Sequence, residues 1–242
     1  MIIKSFTLLA FSILSLSCAQ QAEIDAHKIL DQSISFHDPD SNWDKAVLDV
    51  HIQEPRVSNP YRYSIVKLDN NLNTFELSRN RDQYISTHII DQNGKSTVLL
   101  DGVTVIDSTL IEKYRLDASR NIMYKDFYEL IYGLPMSLSK SVAKMNETND
   151  QLFNEKESFK VEVELEQPII SKHWNLFISK KDYQLVGIEI FFPDEPEKGE
   201  RLYFEGIVTI NKMKLPRIRH WHTYNDDSYS GSDIIIKEIA SE

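Results

Sequence analysis

The chain has 242 residues, with 27 Lys and Arg against 37 Asp and Glu, and a formal net charge of -10 at pH 7. This charge argues against a nucleic-acid-binding protein, because phosphates require a basic surface, and against electrostatic adhesion to anionic lipid head groups. A single cysteine excludes a disulfide within one chain, so the fold must be held by its hydrophobic core.

Residues 1–17, MIIKSFTLLAFSILSLS, combine one early lysine, an apolar run and small residues at the end. This pattern is typical of a secretory signal peptide, and no later segment approaches the ~20 apolar residues of a membrane-spanning helix. Cys18 lies where a bacterial lipoprotein carries its lipidated residue, although Ser15 replaces the usual aliphatic residue, and cleavage after Ala19 is the alternative. We predict an exported cell-envelope protein, periplasmic or anchored to the outer membrane by a lipid, with residues 18–242 forming a single domain.

An amphipathic helix is predicted at residues 22–36, followed by the turn HDPDSN. The helix ends there because Pro39 disfavours a helical conformation at Asp38. Its apolar stripe consists of Ala26, Ile29, Leu30, Ser33 and Ile34. Strand patterns follow, namely AVLDVHI, YRYSIVK, TFELSR and two further segments that flank Asn93-Gly94. This dipeptide predicts a tight hairpin turn, and Asp101-Gly102 predicts a second turn.

A second predicted helix spans residues 120–132. Met123, Phe127, Leu130 and Ile131 recur at helical spacing. Ser119 is available as an N-cap and Gly133 as a C-cap, and a Leu-Pro pair follows.

Strand patterns dominate the C-terminal part of the chain. They are FKVEVELE, WNLFIS, LVGIEIFF, RLYFEGIVTI, PRIRHWHTY and DIIIKEI, all rich in β-branched and aromatic residues. The first alternates inward Phe159, Val161, Val163 and Leu165 with charged residues. In LVGIEIFF we assign Val186, Ile188, Ile190 and Phe192 to one face and Leu185, Glu189 and Phe191 to the other, so this strand is expected to be covered on both sides. The order of elements predicts a mainly β (α+β) fold, a large curved antiparallel sheet or half-barrel with helices packed on its concave face.

Catalytic and nucleotide-binding motifs such as GxSxG, HExxH, the P-loop, GxGxxG and paired CxxC do not occur, so we predict neither an enzyme nor a cofactor. His220 and His222 share a strand face and are the candidate pair for a metal, with Asp226, Asp227 or His173 as a third ligand. The alternative is that they are polar neighbours on a half-exposed face. Since the sequence does not place a third ligand, we predict no metal site.

The acidic residues between the strands LVGIEIFF and RLYFEGIVTI are Asp194, Glu195, Glu197 and Glu200. They lack the alternating spacing of a calcium-binding loop. We interpret them as a solvated hairpin tip.

The segment AHKILDQSISFHDPDSNW, a helix that ends near a histidine and is followed by a tryptophan, resembles the opening of the lipoprotein-localisation carrier (LolA-like) superfamily. The later segments WNLFISKKDYQLVGIEIFF, RLYFEGIVTINKMKLPRIRHWHTY and SGSDIIIKEI are similar to the strands of an uncharacterised bacterial lipoprotein family with that fold. The resemblance implies an open half-barrel plugged by helices, and several superfamily members carry acyl chains in the apolar hollow.

We therefore expect a non-enzymatic envelope lipoprotein that binds an apolar or acylated small molecule in its hollow and does not bind nucleic acid. The residues expected to line the hollow are Trp174, Leu176, Ile188, Ile190, Phe192, Phe204, Val208, Phe127 and Ile131. The first alternative is a structural or protein-binding envelope lipoprotein whose interior is filled by its own side chains. A metal-dependent hydrolase built on His220 and His222 is the second.

Overall fold

The computed structural model describes residues 25–238, apart from the side chains of residues 147, 148 and 196. The predicted signal peptide, Cys18 and Ala19 lie outside the described residues. Within residues 25–238, twelve strands form one antiparallel sheet in the order β5-β4-β3-β2-β1-β12-β11-β10-β9-β8-β7-β6. The sheet is not closed, since β5 and β6 are its two edges. This confirms the predicted curved antiparallel sheet.

The sheet is a meander in which β1 and β12 are the one neighbouring pair that is distant in sequence. Five strands precede the helical insertion: β1 Val47–Gln53, β2 Tyr63–Asp69, β3 Thr74–Arg81, β4 Tyr84–Ile90 and β5 Ser96–Leu100. Seven follow it: β6 Val142–Phe153, β7 Lys156–Ile169, β8 Ser171–Ser179, β9 Leu185–Phe191, β10 Glu200–Ile210, β11 Met213–Thr223 and β12 Tyr229–Glu238. The pairing of β4 with β5 confirms the Asn93-Gly94 hairpin.

The α-helices are α1 Ala26–His37, α2 Ser108–Tyr114 and α3 Arg120–Gly133. The predicted stripe of α1 is confirmed, because Ala26, Ile29, Leu30 and Ser33 are buried and Ile34 packs against the same core. Asp25 caps the helix by accepting the His27 N–H at 2.9 Å. Helices α1 and α3 both contact β7 and β11 and cover the concave face.

Two details of α3 differ from the prediction. The Ser119 side chain accepts no capping hydrogen bond; in the preceding turn, Asp117 accepts the Ser119 N–H at 2.8 Å. Gly133 is itself helical, and the cap is Leu134. A Cβ on Gly133 would lie 2.2 Å from Cζ2 of Trp43, so glycine serves here to let the indole pack against the helix backbone.

The predicted faces of β9 are wrong in part. Leu185 joins Ile188 and Ile190 in the main core, whereas Val186 packs on the opposite face against Phe153 and Phe177. The register between β8 and β9 shifts at Phe177 and Ile178. Such a bulge reverses the alternation of side chains, which a strict period of two does not anticipate. The expectation that this strand is covered on both sides is confirmed.

His37 binds the C-terminal end of α1 to the sheet. Its Nδ1 donates to the Lys214 carbonyl at 2.5 Å, and its Nε2 accepts the Leu185 N–H at 3.0 Å. Both ring nitrogens are therefore used in the neutral form, and burial lowers the pKa of His37 from 6.5 to about 4. We call this region, where α1 meets the starts of β9 and β11, the α1 end of the hollow.

Candidate binding cleft

A cleft of about 640 Å³ lies beside the first half of α3, between the ends of β3 and β7. We call this region the α3 end of the hollow. Three parts of the chain form its walls: α3, the turn between β7 and β8, and the segments around β2, β3 and α2 that carry arginines. The side chains that define it are Ile122, Met123, Phe127, Pro168, Ile169, Ile170, Arg62, Arg79, Arg81 and Arg115, with Asp126 and Ser119 at the margin.

One side of the cleft presents large apolar side chains to solvent. Ile122 and Met123 on α3 are 53 % and 54 % exposed, and Ile170 in the opposite turn is 42 % exposed. Ile170 also has φ +65°, a left-handed conformation that β-branched residues rarely adopt. Exposed apolar groups rimmed by polar ones are typical of ligand grooves, and strained residues cluster at such sites.

A buried carboxylate anchors two of the arginines. Glu54, which is 1 % exposed, accepts hydrogen bonds from Arg62 at 3.0 Å, from Arg79 at 3.1 Å, and from the Tyr128 hydroxyl at 2.9 Å. The Ser64 hydroxyl donates to it as well. Burial opposes ionisation of Glu54, but the two guanidinium groups and these hydrogen bonds outweigh it and lower the pKa to about 2. The cluster joins α3 to strands β2 and β3.

The other two arginines of the cleft, Arg81 and Arg115, are not paired with a carboxylate in the described residues. Within residues 25–238, neither Arg81 nor Arg115 forms an ion pair, and Nε of Arg81 is buried without a hydrogen-bond partner. Burial first, and then the charge of Arg79, lowers the pKa of Arg81. An arginine nevertheless stays protonated in proteins. The cleft therefore carries excess positive charge although the chain as a whole is acidic.

A smaller cavity of about 260 Å³ adjoins the cleft and shares Arg62, Phe127 and Ile170 with it. Trp221 forms part of its wall and stacks with Phe127, with ring centroids 6.1 Å apart. The indole Nε1 donates to Asp233 at 2.8 Å. Phe127 thus separates the two cavities and contacts both.

The family model that matches this chain, over residues 3–238, is described as a family of unknown function, DUF6503. The chain belongs to the DUF6503 family. No curated protein matches it. Among solved structures, the LolA superfamily protein NE2245 from Nitrosomonas europaea superposes with a TM-score of 0.52 at 8 % identity, covering 90 % of this chain and 94 % of that one. This likeness shows a LolA-like fold and so confirms the resemblance inferred from the sequence.

A second solved structure is a putative outer membrane lipoprotein-sorting protein domain from Vibrio parahaemolyticus. It superposes with a TM-score of 0.48 at 14 % identity and covers 89 % of this chain and 93 % of that one. In the part of the DUF6503 chain that is described, no helix is long and apolar enough to cross a membrane.

In this DUF6503 protein, the residues that we expected to line the hollow lie in three different environments. Phe127 lies in the cleft. Seven belong to the packed main core: Trp174, Leu176, Ile188, Ile190, Phe204, Val208 and Ile131. Phe192 is half-buried and follows the last residue of β9. The concave face is thus filled at most of the expected positions, and the cavity begins beyond them.

The arginines were not foreseen from the sequence of this DUF6503 protein, because they are spread over residues 62–115 and form no local motif. One signal was available. Arg79 and Arg81 alternate along a predicted strand, so both must project from the same face. Two like charges on one face of a half-buried strand indicate either carboxylate partners or an anionic ligand.

His220 and His222 have separate partners. His220 lies 2.8 Å from the Ser232 hydroxyl and 3.1 Å from Glu205, and Nδ1 of His222 lies 2.7 Å from the Asp227 carbonyl. Across the described residues, no three His, Cys, Asp or Glu side chains are grouped closely enough to hold a metal.

The acidic tip between β9 and β10 is solvated, as predicted, at Asp194, Glu195 and Glu197. Glu200 is half-buried instead, and burial raises its pKa.

Proposed function

We propose that this protein is a non-enzymatic binding protein of the cell envelope, and that its cleft takes up the apolar chain of an acylated molecule. The observation that carries the proposal is the cleft of about 640 Å³, with Ile122, Met123 and Ile170 exposed around it. This volume is in the range of known small-molecule sites. The resemblance to the LolA-like superfamily also supports it, because several members of that superfamily carry acyl chains in an apolar hollow.

In this proposal Phe127 is the direct contact between ligand and protein interior. Its ring faces the cleft on one side and Trp221 on the other. The seven buried residues from the expected lining belong to the packed core and do not line the cleft. The proposal includes export through residues 1–17 and a lipid anchor at Cys18, which would hold the cleft close to a membrane that supplies or receives the ligand.

The alternative of a structural or protein-binding lipoprotein also has an observation in its favour. Trp174, Leu176 and Ile188 have no exposed surface, so this part of the expected lining is filled by the protein's own side chains. The two functions make opposite predictions for the purified protein. A carrier retains a small molecule, whereas a protein with a filled interior does not.

The test is native mass spectrometry of the domain beginning at Ala19, purified from an exporting host without detergent and incubated with envelope lipids. We expect an adduct that organic extraction identifies as an acylated molecule. A double variant, Ile122→Gln with Met123→Gln, should lower its occupancy about tenfold, because two polar amides replace apolar contacts worth roughly 1–2 kcal/mol.

The matched control is Leu152→Gln with Ile236→Gln, which replaces two exposed apolar residues outside the cleft. It should leave the adduct unchanged. A bare polypeptide mass in all three proteins would overturn the carrier and favour the alternative.

A further inference from the structure

We propose that the arginines of the cleft bind the phosphate group of an amphiphile whose apolar chain lies along Ile122, Met123 and Phe127. This inference rests on the proposed binding function and assigns the chemical class of its ligand. Arginine is suited to the role, because its planar guanidinium donates paired hydrogen bonds to phosphate oxygens.

The charge balance of the cleft favours an anion. Four arginines line it, namely Arg62, Arg79, Arg81 and Arg115. Two carboxylates oppose them, Glu54 beneath the cleft and Asp126 at its margin. Two positive charges are left over, and a phosphate monoester carries close to two negative charges at neutral pH. A single carboxylate would neutralise one of them.

The geometry separates the arginines that hold the site together from those that are available to a ligand. Arg62 and Arg79 donate to Glu54. Arg81 lies two residues after Arg79 on β3 and therefore projects from the same face. Arg115 follows α2 and lines the same cleft. The pair Arg81 and Arg115 is the part of the group with donors to spare in the described structure.

The neighbouring positive charges of the cleft arginines repel one another unless an anion lies between them. Burial disfavours the charged form of Arg81 most, and the charges of Arg79, Arg62 and Arg115 add to this effect, whereas Tyr124 opposes it. In a half-buried site these repulsions are weakly screened. On an ordinary protein surface an acidic side chain would lie beside Arg81. Such a partner is easily supplied, because this chain has ten more acidic than basic residues. A bound phosphate supplies that missing partner.

The apolar side of the cleft makes an amphiphile a better fit than free phosphate. Ile122 and Met123 lie on α3 within the same cavity as the arginines, and Ile170 faces them from the opposite turn. A free phosphate ion would leave these three side chains exposed. A molecule with a charged head and an apolar chain covers both parts.

The experiment measures the affinity of the domain beginning at Ala19 for four probes, by titration calorimetry at low and at high salt. The probes are dodecyl phosphate, dodecanoate, 1-dodecanol and inorganic phosphate. We expect dodecyl phosphate to bind about tenfold or more tightly than 1-dodecanol at low salt, and the advantage to shrink at high salt.

The test variant is Arg81→Gln with Arg115→Gln, which leaves the bonds of Glu54 in place. It should lower the affinity for dodecyl phosphate to that for 1-dodecanol and leave 1-dodecanol binding unchanged. The control is Lys28→Gln with Lys237→Gln, two exposed lysines whose loss changes the net charge by the same amount. This control should bind all probes like the original protein.

Each other outcome contradicts a different part of the argument. Equal affinity for dodecyl phosphate and 1-dodecanol overturns the role of the arginines and leaves the binding function intact. Equal affinity for dodecanoate and dodecyl phosphate overturns the choice of phosphate. Inorganic phosphate that binds as tightly as dodecyl phosphate shows a site for the free ion. Failure of every probe to bind overturns the proposed function itself.

Discussion

The α1 end and the α3 end of the hollow belong to the same sheet, but they differ in whether their polar groups find partners within the fold. At the α1 end, His37 uses both ring nitrogens within the fold, and its neighbours form a packed apolar core. At the α3 end, Arg62 and Arg79 are satisfied by Glu54, whereas Arg81 has a buried nitrogen without a partner. His37 is thus fully paired within the fold, whereas Arg81 is not paired within the described residues.

We infer from this difference that the α1 end serves the stability of the fold and that the α3 end serves binding. Buried polar groups in folded proteins are nearly always hydrogen-bonded, so an exception next to a cavity points to a missing partner. Substitutions at the α1 end should therefore alter stability alone. Those at the α3 end divide into the Glu54 cluster, which holds α3 in place, and the cleft surface, which contacts the ligand.

The largest effect on stability is expected from Glu54→Gln. Removing this charge leaves Arg79 buried beside a neutral amide, and breaking a buried ion pair costs about 3–5 kcal/mol. The free energy of unfolding in urea measures it. Glu76→Gln is the control, because Glu76 pairs with Lys67 at the surface, where a pair contributes about 1 kcal/mol or less. Equal losses in the two variants would contradict the assignment of Glu54 as the anchor of α3.

Lowering the pH should affect the two ends in different ranges. The pKa of His37 is depressed in the folded state, so its contribution is complete above pH 6.5 and is lost as the pH falls toward about 4. The loss amounts to about 3 kcal/mol for a buried imidazole. The pKa of Glu54 is depressed too, and its contribution is lost only between about 4.5 and 2.

Urea unfolding of His37→Ala as a function of pH isolates the first range. The variant is less stable at pH 7 and should show a smaller decline between pH 6.5 and 4 than the original protein, because only His88, whose pKa burial also lowers, still contributes to it. His27→Ala, which removes an exposed histidine from the same helix, should keep that decline. A decline of equal size in both variants would place the titration elsewhere.

The packing of the filled region is tested by Gly133→Ala. The added methyl group would meet the Trp43 indole, and such overpacking costs about 1–3 kcal/mol. Thermal unfolding measures the loss. A second change, Trp43→Leu, makes room for the methyl group, so the two substitutions together should cost less than the sum of their separate effects. Strict additivity would show that the indole is not what requires glycine.

Periodicity sufficed to predict the elements whose pattern reflects burial on one face. The stripe of α1 and the alternation of β7 are of this kind. It failed for β6, whose middle, residues 146–151, is wholly polar, and for β9, where a bulge reverses the faces. The cleft could not be predicted from the sequence, because its arginines come from separate elements. Only the folded chain shows which of them Glu54 neutralises.

The smallest effect is expected at Ile170, where stability and binding should change in opposite directions. Its left-handed backbone costs a β-branched residue about 1 kcal/mol or more, and asparagine tolerates that conformation. Ile170→Asn should therefore raise the free energy of unfolding by about 0.5–1 kcal/mol while weakening binding of 1-dodecanol, since an apolar contact is lost.

The control is Ile207→Asn, at 38 % exposure in ordinary strand backbone, which should gain no stability and bind normally. A gain in both stability and affinity at position 170 would mean that the turn obstructs the cleft. In that case the strain of Ile170 would limit access to the cleft, and the apolar rim would have to be sought on α3 alone.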